Sequence, residues 1–173
     1  MKFHDDQRIL GIDPGSRITG FGIIDSVHGK TKYITSGIIK SVKGDFIERL
    51  KLINESVQNI INEYKPNIMV IENVFIHKNP SSALKLGHAR AAAICATFKS
   101  DISVHEFSPR EIKKAVVGTG AATKEQVQHM IVSLLNLDGV PPEDAADAIA
   151  AALCYCNHRA VQSSLNQIAG KEL

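Results

Sequence analysis

The sequence lacks tryptophan altogether and has little of several other residue types. It has three cysteines and 5% aromatic residues among 173 residues, and its formal net charge is only +2. The cysteines are odd in number and show no C-x-x-C spacing, so we expect reduced, buried thiols and neither disulfides nor a structural zinc site. The longest apolar run, Ala148 to Cys156, is about half of the roughly 20 residues that a membrane span requires. Acids stand near the N-terminus where a secretory signal would be apolar, which favours a soluble, cytoplasmic protein without membrane association.

The composition is that of a folded protein. Hydrophobic residues make up 44% of the chain and charged residues 22%, which excludes intrinsic disorder. The length fits one domain over 1–173, with a core over about residues 8–158 and a polar C-terminal tail over about residues 160–173. The net charge of +2 would become +6 on the rest of the surface if four acids were held together in a metal site. Such a modest basic excess is compatible with a polyanionic partner.

The N-terminal part of the chain predicts three antiparallel strands, because short β-branched and apolar segments alternate with tight turns. These segments are residues 8–13, 19–25 and 32–39. Apolar residues then recur every three or four positions over 46–64, which is typical of an amphipathic helix. The buried strand at 68–72 follows that helix, so we expect it to lie parallel to the first strand.

The remaining sequence predicts further helices and one more strand. An alanine-rich helix covers about residues 81–99 and a strand covers 104–107. Capping boxes begin helices at Ser108 and Thr123, and a final helix opens at Pro141 and runs to about His158. The predicted fold is therefore α/β, a mixed five-stranded sheet of three antiparallel strands followed by parallel ones, flanked by helices.

Four acidic residues are expected at one edge of this sheet. Asp13 and Glu72 end the first and fourth strands, and parallel neighbours bring their carboxyl ends together. Asp144 and Asp147 share one face of the final helix at spacing i, i+3. Taken singly, Asp13 could open a turn and Glu72 could pair with a lysine. Asp144 could be there only because an acid near a helix N-terminus interacts favourably with the helix dipole. Asp147 lies a full turn inside an apolar helix, where neither capping nor solvation explains it.

A cluster of carboxylates beside an apolar core indicates a metal site. Without cations the four would repel one another, and some would have to stay protonated. Hard oxygen ligands without an adjacent His or Cys cluster favour Mg²⁺ or Mn²⁺ over zinc. Two such ions about 4 Å apart can bridge a phosphate, activate a water and stabilise the leaving oxygen.

The residues around these acids form several blocks in a specific order. The blocks are Ile12-Asp13-Pro14-Gly15-Ser16-Arg17, Ile71-Glu72-Asn73-Val74-Phe75, Ser82-Ala83-Leu84-Lys85-Leu86-Gly87-His88-Ala89-Arg90, Val116-Val117-Gly118, Gln126-Val127-Gln128-His129-Met130 and Asp144-Ala145-Ala146-Asp147-Ala148. From about residue 8 to about residue 158 the chain resembles the RuvC family of bacterial Holliday-junction resolvases, and ordered blocks are far more specific than any lone motif.

The resemblance implies an RNase H-like fold, a homodimer and a crossover junction endodeoxyribonuclease of DNA recombination and repair. Such an enzyme cuts two opposing strands of a four-way junction symmetrically and works beside the RuvAB branch-migration complex. From the carboxylate donors we expect Mg²⁺ as the cofactor, two ions per subunit, with Mn²⁺ able to substitute. The residues that the resemblance assigns fall into three groups: metal-binding catalytic acids at Asp13, Glu72, Asp144 and Asp147; catalytic, DNA-contacting lysines near the scissile phosphate at Lys113 and Lys124; and junction-centre, DNA-binding residues at Phe75 and Lys78.

Several alternatives remain open from the residues themselves. Lys113 and Lys124 could be solvated surface lysines, and Phe75 could be a core residue. Small residues over 81–99 fit burial against the sheet as well as a dimer contact. Gly118-Thr119-Gly120 follows a helix, so it indicates a helix stop and not a dinucleotide site. Other functional classes are an actin-like nucleotide-binding protein, another RNase H-like nuclease, and a junction-binding module without catalysis.

Overall fold

A computed structural model describes residues 6–41, 43–74 and 80–169 of the chain. Its five strands form one sheet in the order β3-β2-β1-β4-β5. The pairs β1–β2 and β2–β3 are antiparallel, whereas β1–β4 and β4–β5 are parallel. The strands are β1 Gln7–Asp13, β2 Ile18–Val27, β3 Lys30–Lys40, β4 Ile68–Glu72 and β5 Ser103–Phe107. The mixed five-stranded sheet predicted from the sequence is confirmed.

The helices within the described residues are α1 Phe46–Tyr64, α2 Pro80–Cys95, α3 Pro109–Val117, α4 Lys124–Leu135 and α5 Glu143–Ala169. Capping boxes begin α3 at Ser108 and α4 at Thr123, as predicted, and α3 ends at Gly118 in the left-handed conformation. The expected end of the last helix near His158 is wrong. Because residues 144–169 contain no glycine or proline, α5 continues to Ala169, and its residues 161–166 are exposed.

The sheet is covered by helices on both faces, since successive side chains of a strand point to opposite sides. Leu10 and Met69 pack with α1 and α2 on one face. Ile9 and Val70 pack with α3, α4 and α5 on the other. The three layers place the carboxyl ends of β1 and β4 between the two groups of helices. Among the described residues, no helix is long and apolar enough to cross a bilayer.

The three cysteines are free thiols, as expected, but they are not uniformly buried. Cys154 is buried in α5 and Cys156 is partly buried, whereas Cys95 is exposed. The expectation of a buried thiol is therefore wrong at Cys95. Its helix buries the face that carries Ala89 and Ala93 against the core, and position 95 lies off that face.

Helix α5 lies unusually close to the sheet because glycines face it. A Cβ atom added at Gly11 would lie 1.9 Å from the carbonyl oxygen of Ala148, and one added at Gly20 would lie 1.9 Å from that of Asp144. Any other residue at these two positions would force the helix outward, since real Cβ contacts are never that short. The two glycines therefore determine how near the first turns of α5 come to the ends of β1 and β2.

Candidate active site

Asp13 and Glu72 lie side by side at the edge of the sheet. They are the last residues of β1 and β4, and the preceding residues Ile12 and Ile71 are partners in the parallel register. Strand alternation puts Ile12 and Ile71 on the face of α1 and α2, so the two carboxylates belong to the opposite face. The acids meet as the sequence predicted, because the helical connection through α1 makes the two strands parallel.

Helix α5 brings its acids to the same edge. Asp147 lines a cavity of about 200 Å³ together with Asp13 and Glu72. Asp144 is one turn earlier and partly buried, and its charge raises the pKa of Asp13 although it does not line the cavity. Among the described residues, those that line the cavity are Asp13, Glu72, Pro109, Ile112, Lys113, Lys124, Val127 and Asp147.

The carboxylates raise one another's pKa values. Burial raises the pKa of Asp13 to about 8, and the charges of Glu72, Asp147 and Asp144 add to the effect. Burial and the charge of Asp147 raise the pKa of Glu72 to about 7. The pKa of Asp147 is also raised, again by burial first, with Lys124 opposing it. These carboxyls lie in an environment that disfavours several negative charges at once, and such perturbed groups mark candidate functional sites.

Two lysines complete the cavity wall. Lys124 is the first residue of α4, directly after the N-cap Thr123, and its Nζ lies 3.9 Å from Oδ2 of Asp147. The same ammonium contacts the carboxylate of Glu143, which raises the pKa of Lys124. Lys113 lies in α3, and its charge lowers the pKa of Glu72 and of Asp147. A phosphate group in this cavity would meet two cations and the N-terminus of a helix.

The cavity has the donors for hard cations but not a closed ligand shell. Within the described residues, no three His, Cys, Asp or Glu side chains already converge as a metal-binding group. The donor set is nevertheless all carboxylate, which suits Mg²⁺ or Mn²⁺. Burial first, and the neighbouring carboxylates second, raise the pKa values of Asp13 and Glu72, and a bound cation would offset both causes.

Two residues assigned to the junction centre cannot be placed. Phe75 and Lys78 lie outside the described residues, between the end of β4 and the start of α2. Their roles remain predictions from the family resemblance.

Two residues at this edge were not expected there from the sequence. Glu143 opens α5 and pairs with Lys124; its position one residue before Asp144 was the available signal. Arg90 reaches from α2 to the main-chain carbonyl of Glu72, a contact that no spacing along the chain reveals.

Comparisons with known proteins agree with this geometry. The family model described as crossover junction endodeoxyribonuclease RuvC matches residues 9–155. A protein of that name from Hydrogenovibrio crunogenus is 54% identical over 149 residues, covering 86% of this chain and 87% of the relative. The Thermus thermophilus RuvC structure matches with a TM-score of 0.79 at 29% identity, covering 90% of this chain and 96% of that one. The structure of T. thermophilus RuvC in complex with a Holliday junction substrate matches with a TM-score of 0.81 at 29% identity, covering 88% and 94%. The fold is RNase H-like, as predicted, and the chain belongs to the RuvC family of crossover junction endodeoxyribonucleases.

Proposed function

We propose that this protein is a metal-dependent endonuclease that resolves four-way DNA junctions. The carrying observation is the cavity in which carboxylates from β1, β4 and α5 face lysines from α3 and α4, in a chain of the RuvC family. Relatives in that family carry the name of crossover junction endodeoxyribonuclease, and one solved relative was captured with a Holliday junction substrate. Phosphodiester hydrolysis is the chemistry that such a set of groups performs.

Asp13, Glu72, Asp144 and Asp147 are the proposed metal ligands. We assign Mg²⁺ to them, two ions per subunit, with Mn²⁺ as a substitute. The support is electrostatic: burial and mutual repulsion raise the pKa of Asp13 to about 8 and of Glu72 to about 7, and divalent cations would remove that conflict. When bound, the ions supply Lewis-acid activation of the attacking water and of the phosphate.

The protein's own residues orient the phosphate. Lys124 and Lys113 line the same cavity as Asp13 and Glu72, where their ammonium groups bind phosphate oxygens and stabilise the charge that develops there. Lys124 also contacts Glu143, so that carboxylate competes with phosphate for the ammonium. Pro109, Ile112 and Val127 form the apolar part of the wall, which limits the water around the reacting group.

Junction specificity is proposed to come from residues outside the cavity and from symmetry. Phe75 would stack on an unpaired base at the junction centre and Lys78 would bind its backbone. One cavity cuts one strand, so paired symmetric cuts require a homodimer. We further propose that the whole chain acts as one nuclease domain in the cytoplasm, beside a RuvAB branch-migration complex.

The experiment compares cleavage of a labelled synthetic four-way junction and of a matched linear duplex, with Mg²⁺ or with EDTA. Wild type, Asp147→Asn and Asp138→Asn are assayed in parallel; Asp138 is an exposed loop residue, so its variant controls for the change of charge. We expect paired symmetric cuts on the junction alone, absent in EDTA and in Asp147→Asn and retained in Asp138→Asn. Equal cutting of the duplex or of an RNA control would instead indicate a general RNase H-like nuclease. Tight junction binding without cutting would indicate a binding module.

A further inference from the structure

The guanidinium of Arg90 joins three elements at the back of the candidate active site. Its Nε donates to the main-chain carbonyl of Glu72 at 3.3 Å, and its Nη2 contacts the carboxylate of Glu106. The Arg90 side chain is only 18% exposed. Among the described residues Nη2 meets no hydrogen-bond partner of good geometry, so its contact with Glu106 is an ion pair and the Nε–carbonyl contact is the hydrogen bond. A planar guanidinium has donors on adjacent sides, so one side chain can join the end of β4 to β5 through both contacts.

These contacts lie on the face of the sheet opposite the cavity. Glu106 pairs in register with Ile71, and both Ile71 and Val104 pack on the α1 and α2 side. Strand alternation therefore turns Glu106 toward α2 and the Glu72 side chain toward the cavity. Arg90 binds the backbone of the residue whose carboxylate faces the other way.

We propose that Arg90 is a positioning residue for the reaction, holding the end of β4 so that the Glu72 carboxylate lies where the metal and phosphate require it. Glu72 is the last residue of its strand, and after it the backbone makes one further ladder bond, from Asn73 N–H to Phe107 O at 2.8 Å. Within the described residues, the Arg90 side chain adds a restraint from α2 to the backbone pairing that holds Glu72 beside Phe107 of β5. Groups that orient metal ligands from behind change metal affinity or activity by about 10–100-fold when removed.

The chain contains a matched control at the far end of the sheet. Arg8 near the start of β1 binds both carboxylate oxygens of Asp25, at 2.7 and 2.9 Å, and donates to the main-chain carbonyl of Tyr64 at 2.9 Å. Arg8 thus makes the same type of bridge between a carboxylate and a backbone carbonyl. It stands five residues before Asp13, about 17 Å along the strand. Loss of Arg8 affects folding stability without reaching the cavity.

The experiment compares wild type, Arg90→Gln, Arg90→Lys and Arg8→Gln in two measurements. The first is the increase in unfolding temperature that millimolar Mn²⁺ produces in the protein without DNA. The second is the single-turnover cleavage rate on a saturating four-way junction as a function of Mg²⁺ concentration. We expect Arg90→Gln to show a smaller Mn²⁺ effect and a cleavage rate lower by about 10–100-fold, with junction affinity in Ca²⁺ within about threefold of wild type. Arg90→Lys should lie between, and Arg8→Gln should match wild type in both measurements.

A partner variant keeps the inference falsifiable if Arg90→Gln fails to fold. Glu106 is 46% exposed, so Glu106→Gln leaves the fold and the Arg90 side chain in place while weakening its anchor. It should lower the cleavage rate in the same direction, by about 3–10-fold, because the two act through one contact. If Arg90→Gln and Arg8→Gln change the Mn²⁺ effect and the metal dependence equally, Arg90 is merely structural and the inference is overturned.

This inference rests on the proposed function, but the two fail differently. Wild type that cuts no junction would refute the function, and the Mn²⁺ effect on unfolding would still test Arg90. If wild type cuts the junction, and Arg90→Gln and Glu106→Gln cut it at the wild-type rate with the wild-type dependence on Mg²⁺, only the positioning role of Arg90 is refuted.

Discussion

Asp13→Asn should stabilise the metal-free protein while abolishing cleavage. The pKa of the Asp13 carboxyl is about 8 in the folded chain, against 3.8 for an ordinary aspartate, because of burial and the charges of Glu72, Asp147 and Asp144. The folded chain therefore retains a proton that the unfolded chain has lost. For this group, stability is greatest below about pH 4 and is lost as the pH rises through about 8.

The magnitude follows from that difference. Between about pH 4 and pH 8, one retained proton lowers the free energy of unfolding by about 1.4 kcal/mol per pH unit. At pH 7 the total loss in free energy of unfolding from this group is about 4 kcal/mol. Because Asp13 is only partly buried, solvent screening reduces this cost, and we expect Asp13→Asn to recover about half of it, about 2 kcal/mol. An asparagine has no charge, so its advantage over wild type should grow with pH.

The assay is urea unfolding in EDTA at several pH values from 5 to 8.5 for wild type, Asp13→Asn and the exposed control Asp138→Asn. Wild type should lose stability across this range, Asp13→Asn should lose less, and the control should follow wild type. Added Mg²⁺ should stabilise wild type more than Asp13→Asn, since it neutralises the repelling carboxylates. A variant that is less stable than wild type at pH 7 in EDTA, or a difference independent of pH, would refute the reasoning and make Asp13 a structural residue.

Three further predictions concern the surroundings of the cavity. Glu143→Gln removes the carboxylate that holds Lys124. We expect junction affinity to rise by about 2–5-fold in a binding assay with Ca²⁺, because an exposed ion pair is worth at most about 1 kcal/mol. Unchanged affinity would mean that the ion pair does not compete with DNA. Gly20→Ala should lower the free energy of unfolding by about 1–3 kcal/mol and slow cleavage by about 10-fold, because its Cβ would push α5 from the sheet. The control is Gly87→Ala, whose Cβ meets nothing within 4 Å. Equal behaviour of the two variants would contradict the close approach of α5 to β2. Lys78→Ala should reduce the slope of log Kd against log salt by about 1 if that lysine binds one phosphate, and an unchanged slope would remove it from the DNA surface.

The sheet could be predicted because its determinants are local. Tight turns between the first three segments make them antiparallel, and the amphipathic helix before 68–72 makes that strand parallel to β1. The parallel pairing of β1 with β4 is confirmed, and its register, in which Ile12 pairs with Ile71, places Asp13 beside Glu72. The capping boxes at Ser108 and Thr123 were also visible, since capping involves residues only three positions apart.

The contacts that position the site could not be predicted in the same way. Arg90 reaches Glu72 across 18 residues of sequence and from another layer of the fold. Lys124 and Glu143 are 19 residues apart and meet only because α4 and α5 begin at the same end of the molecule. Local patterns predict which residues share an edge. The pairing of a long side chain with a particular carboxylate depends on how whole helices pack. Hydrophobic periodicity along the sequence does not predict that packing.

The glycines of β1 and β2 show how such packing enters the chemistry. From the sequence alone, a glycine in a strand predicts a less stable strand, because glycine has no side chain to pack and loses more conformational freedom on folding. In the fold, Gly11 and Gly20 lie where α5 crosses the sheet, and Gly20 is the register partner of Asp13. Their missing side chains allow the first turns of α5 to approach β1, which brings Asp147 into the same cavity as Asp13. The acids at 144 and 147 thus depend on residues that carry no chemistry of their own.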